Sequence, residues 1–118
     1  MIILTFIFFM LAAFFNSVMD ATENENIYES KFFRDKDPKF WYKRESWKSA
    51  KRIFSFHLDA WHIAKSSMIL CLVASVMLAL AYPIPIKNWH DIAFFVSIYG
   101  LVWNGTFKLF YNLIFGIR

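Results

Sequence analysis

Glycine, proline and cysteine are scarce in this chain: three, three and one among 118 residues. The lone Cys71 excludes an intramolecular disulfide framework, and its place inside an apolar run makes it a small lipid- or helix-facing side chain. Three separated glycines leave no phosphate-cradling loop, which removes the commonest nucleotide-binding devices. Proline is confined to Pro38, Pro83 and Pro85, so no long apolar run is broken by one. Charge is missing altogether from residues 1–19. A secretory leader opens on cations and carries an apolar stretch of about 7–15 residues. The first block has no cation before it and a longer stretch, so it reads as a retained helix.

What is abundant is apolar and aromatic: 58% and 21% of the chain, with 15 phenylalanines. The excess falls in three blocks, residues 2–19, 60–82 and 92–117. A transmembrane helix needs roughly 20 predominantly apolar residues, and each block approaches or exceeds that. The first, being shortest, should cross with little tilt. The expected fold is therefore an all-α integral membrane protein of one domain, with transmembrane helices at residues 2–20, 60–82 and 91–116. Between the first two lies a basic, aromatic segment, residues 26–58.

The net charge of +4 conceals an asymmetry. Nine of the 13 cations, from Lys31 to Arg52, sit in that one segment, whereas residues 83–91 carry only Lys87. The positive-inside rule then places the long segment in the cytoplasm, the N-terminus outside and the C-terminus inside. Cations here alternate with Tyr28, Phe32, Phe33, Phe40, Trp41, Tyr42, Trp47, Phe54 and Phe56. From Ser46 onward, Trp47, Ala50, Phe54, Leu58 and Trp61 recur at helical spacing, which predicts an amphipathic interfacial helix attracted to anionic head groups. Similar interleaving occurs in nucleic-acid binders, but beside three spans the expected partners are membrane lipids and not nucleic acid. Asp37-Pro38 reads as an N-cap and first helical residue, Thr22-x-x-Glu25 as a capping box, and Asn88 or Asp91 as the cap of the third span.

Polar residues recur at one end of every span. Asn16, Asp20 and Glu23 leave the first, Asp59, His62, Lys65 and Ser66 open the second, and Asn104, Lys108 and Asn112 run down the third. Intramembrane ionisable groups usually face a bundle interior, so Asp20, His62, Lys65 and Lys108 are expected to converge. Gly100, four residues before Asn104, would let another helix approach closely. The sequon Asn104-Gly105-Thr106 lies inside a span and is set aside.

Such a cluster has several chemistries. Asp20, Glu23, Asp59 and His62 form a carboxylate–imidazole set suited to zinc, iron or manganese, although the repeated Glu-x-x-His pairs of dinuclear bundles are missing. Metal-free catalysis on a lipid head group would use His62 as acid or base, with Asp59 or Asp20 orienting it. Lys65, Lys108, Arg44, Lys48 and Arg52 would then hold the phosphate. A holin-like or proton/ion pore would line water with the third span's polar face in an oligomer. Against these stands a structural reading in which Asp59 caps its helix, Asp20 pairs with a lysine and the cluster fixes helix register. The sequence favours this last reading: a non-catalytic accessory or oligomeric membrane component, of the kind phages and bacteria make, working as a homo-oligomer or in a larger membrane complex. The alternative is a small membrane-embedded lipid-modifying enzyme.

Overall fold

A computed structural model describes residues 2–49, 52–53 and 56–116, with the side chains at 25, 26, 39, 47–49, 52, 53, 56 and 57 outside the description. Helix α1 spans Ile2–Glu23, a 3-10 turn Glu25–Glu29, α2 Pro38–Trp41 and α3 Lys43–Ser49. Two short antiparallel strands follow, β1 Arg52–Ile53 and β2 Phe56–His57, with Arg52 opposite His57 and Ile53 opposite Phe56. Helix α4 covers Ala60–Ala81, and α5 covers Trp89–Lys108, continuing as a π-helical segment over Leu109–Ile114. Three stretches, Ile2–Glu23, Ala60–Ala81 and Trp89–Ile114, are long and apolar enough to cross a membrane.

The expected ends move only by a turn or less. Thr22 does not cap a new helix: its hydroxyl donates to the Met19 carbonyl, and α1 carries on to Glu23. Asn88 caps α5, accepting from the Asp91 amide at 3.2 Å. The larger departure concerns the segment before α4. Of the amphipathic helix expected from Ser46 to Trp61, α3 covers the start and ends at Ser49, residues 52–53 and 56–57 are strands, and Ala50 and Phe54 of the repeat lie outside the described residues.

The three long helices form a layer, and the molecule as a whole measures 51 × 35 × 18 Å. Helix α1 is its middle member, packing against α4 on one flank and α5 on the other, while α4 and α5 barely meet. The two flanks differ in chemistry. Buried positions on α1 are small, among them Ala13, Ser17 and Ala21 at four-residue spacing, and those on α4 are Ala60, Ala64 and Ser75. Small residues let helix backbones come close within a membrane, and the Ser75 hydroxyl donates across to the Thr5 carbonyl at 3.0 Å. Against α5 the packing is aromatic: Phe6 stacks on Tyr99 at 4.7 Å between ring centroids, Phe9 meets Trp103 at 5.2 Å and Phe14 meets Phe110 at 4.6 Å.

A layer has no enclosed centre, and only 28%, 11% and 6% of the three apolar stretches are buried. The main core lies at the end where α1 and α5 finish and α4 begins. Val18, Ala21 and Ala64 meet Ile27, Phe33, Tyr42 and Phe115 there. The aromatics of the basic segment thus serve partly as core: Phe33 and Tyr42 are 0% and 3% exposed. Tyr42 Oη donates to the Phe33 carbonyl at 3.0 Å, Asn24 Nδ2 donates to Tyr111 Oη at 2.7 Å, and Ser30 Oγ donates to the Phe115 carbonyl. Gly116, at φ +65°, ends the π-helical segment in the left-handed conformation that glycine adopts without a Cβ clash.

Candidate functional site

Asp59 is the polar centre of the end where the three helices gather. Its extended backbone (φ −129°, ψ 167°) caps α4, and Oδ1 accepts from the His62 amide at 2.8 Å. The same oxygen lies 2.6 Å from His62 Nδ1, and Ser46 Oγ donates to Oδ2 at 2.6 Å. The carboxylate is fully buried. Burial is the largest influence on its acidity and pushes it up, but donation from Ser46 and from the His62 amide and ring together outweighs burial and leaves it below the ordinary aspartate range. An ionised carboxylate against Nδ1 requires the proton on Nδ1, which fixes the imidazole tautomer.

A carboxylate–imidazole contact of this kind orients the base in many hydrolases. The chain order of contacts differs here. Ser46 Oγ donates to Asp59 Oδ2, so its proton is directed to the acid and not to the imidazole. The unit reads Ser–Asp–His with the acid in the middle.

A second charged group sits nearby. Lys43 Nζ contacts Glu23 Oε1 at 2.9 Å and lies 3.7 Å from the Trp61 ring centroid, and Lys65 Nζ stands 5.1 Å from the same ring. Both ammonium groups stand at cation–π distance from this one indole ring. Tyr28 Oη donates to Glu45 Oε1 at 2.6 Å, and that bond leads the influences pushing the phenol up to about 12. Burial, the largest influence on Tyr42, likewise raises its phenol.

The residues singled out from sequence fall into separate places. Asp59 and His62 are in direct contact, and Lys65 shares their end of α4. Glu23 is engaged by Lys43, while Asp20 is exposed on α1 one turn earlier. Lys108 is exposed on α5, a helix that α1 separates from α4. The expected convergence of Asp20, His62, Lys65 and Lys108 presupposes a closed bundle, whereas α4, with His62 and Lys65, and α5, with Lys108, barely meet across the layer. Among the described residues, no three His, Cys, Asp or Glu side chains gather as a metal-sized group. Arg44 is exposed on α3, and the side chains of Lys48 and Arg52 lie outside the described residues. Ser46 and Lys43 were not legible as partners of Asp59 and Glu23. They sit 13 and 20 residues away in the chain, beyond any local periodicity.

The polar stripe of α5 faces outward. Gly100, Asn104, Lys108 and Asn112 are all exposed, and a side chain at Gly100 would meet nothing within 4 Å. Comparison with protein-family models, curated proteins and solved structures returns no match.

Proposed function

We propose that this chain is a non-catalytic membrane component that assembles with further copies of itself through the outward face of α5. The observation that carries the reading is Asn104. It lies ten residues before the end of its candidate span at Ile114, about 15 Å along the axis. A short amide cannot reach head groups from that depth, and an unmatched polar group in hydrocarbon is costly. Asparagine both donates and accepts, so a second asparagine satisfies it, and Gly100 one turn earlier gives the approaching backbone room. Lys108 is nearer the end and snorkels to the interface. Asp59 supports the same reading from the other side, since a capped, buried, fully bonded carboxylate suits a structural role. The basic segment is taken as cytoplasmic, held on anionic lipid.

The test is disulfide crosslinking in native membranes. In a Cys71→Ser background, Asn104→Cys is expected to form a dimer on mild oxidation, whereas Val102→Cys, about 160° round the helix from it, is not. Equal crosslinking at both positions, or at neither, overturns the proposal. A second reading, a lipid-modifying hydrolase, rests on the 2.6 Å contact between Asp59 and His62. It requires head-group release from phospholipid vesicles that His62→Ala abolishes while the protein stays folded.

A further inference from the structure

Two cavities of opposite character meet at the folded end of the molecule. One has a volume of about 580 Å³ and is lined by Glu29, Lys31 and Asn112 together with the turn at Gly116. The other, about 220 Å³, is lined by side chains such as Phe14, Phe15, Val18, Trp41 and Ile63, with almost no polar surface. They share a wall, because Phe32 and Phe115 line both, with ring centroids 5.1 Å apart. We propose that this bipartite cleft binds one glycerophospholipid with a zwitterionic phosphate–ammonium head group, the head in the polar compartment and part of one acyl chain in the apolar one.

Depth orders the two compartments correctly. The apolar one lies between Phe14–Val18 of α1 and the opening of α4, within the candidate spans and roofed by Phe40 and Trp41. The polar one is lined by Glu29 and Lys31, after α1 has ended, and by the last residues of the third span, from Asn112 to Ile114. A bilayer phospholipid presents the same sequence of chain, then phosphate, then terminal group. Charge supplies the choice of head group. The polar compartment offers one carboxylate and one ammonium, Glu29 and Lys31, and among the described residues neither makes an ion pair. Lys31 suits the phosphate and Glu29 the terminal ammonium, with the Asn112 amide between polar partners. A second cation is held at the boundary: Lys36 Nζ stands 5.1 Å from the Phe32 centroid and 5.8 Å from that of Trp41, both rings of the apolar compartment. An anionic lipid without the ammonium would leave Glu29 facing like charge. The site meets the polar stripe of α5 only at Asn112, its far end; Asn104 does not line the cleft, and lipid retention is read per chain, whether or not the chains assemble.

Native mass spectrometry of the full chain, taken from detergent with equimolar phosphatidylethanolamine, phosphatidylcholine and phosphatidylglycerol, tests this directly. The expected result is one retained lipid per chain, with phosphatidylethanolamine enriched. Glu29→Gln should cut the preference for it over phosphatidylglycerol roughly fivefold, the scale of one exposed charge contact. Ile63→Trp fills the apolar compartment from an exposed position, and should remove the retained lipid without changing helix content or thermal midpoint. Three results overturn the proposal: no retained lipid in the wild type, retention undiminished in Ile63→Trp, or a preference for phosphatidylglycerol.

Discussion

Asp59 ties two distant stretches of chain through one carboxylate. Replacing it with alanine removes the α4 cap and the bonds from Ser46 and His62, an expected loss of about 2–3 kcal/mol. Asp59→Asn keeps an acceptor for the His62 amide and should cost about 1 kcal/mol. Thermal unfolding in detergent measures both. The pH dependence has a definite sign. The folded carboxyl titrates below its unfolded value, about 3.9, so its contribution is complete above that pH and is lost as the pH falls through the lower folded value. Wild-type stability should decline below about pH 4 more steeply than that of Asp59→Asn. The cap itself was legible in the sequence, because an aspartate just before an apolar run and three residues ahead of His62 is a local signal. Ser46 was not, because what brings it to Asp59 is the path of the intervening chain.

That path is an element-scale result. A single helix from Ser46 to Asp59 would separate them by about 20 Å along its axis, so it cannot coexist with the 2.6 Å bond between them. The apolar repeat of Trp47, Ala50, Phe54 and Leu58 matched a helix in spacing, yet Arg52–Ile53 and Phe56–His57 pair as antiparallel strands ahead of Asp59. The long helices were read correctly because length and apolar content decide them without reference to neighbours. The α-to-π change at Leu109, which leads the chain to the buried Phe115, left no trace in the sequence. Gly116 holds that geometry. Gly116→Ala places a Cβ in the left-handed region and should cost about 1 kcal/mol, while Gly116→Asn should recover part of the loss. The thermal midpoint and the near-ultraviolet circular dichroism of the Phe115 cluster report it.

At the scale of the molecule, charge and shape make separate predictions. The concentration of cations in the segment between α1 and α4 implies one sidedness. In a Cys71→Ser background, a membrane-impermeant maleimide should label Lys87→Cys in intact cells and spare Lys31→Cys until the membrane is opened. Labelling in the reverse order would invert the topology. Shape was the least legible property. Three apolar runs fit a closed bundle and a flat layer equally well, and the deciding feature is the pairing of small residues on α1 with small residues on α4, while α5 is held by rings. Ala13, Ser17 and Ala21 carry that information in the sequence, but only once their partner helix is known.

Phe115 has a consequence for how the protein is made. It is buried against Phe14, Phe32 and Phe33, and its carbonyl receives the Ser30 hydroxyl. Synthesis produces it after every other member of that cluster. All three hydrophobic segments therefore have to enter the bilayer while the cluster that will fix them is still open. Until Phe115 arrives, α1 already has its partners on α4 and α5, but the cluster around Phe14, Phe32 and Phe33 lacks its last ring. During that interval a quality-control protease or an insertion chaperone would meet a chain whose three long helices are made but whose end cluster is still open.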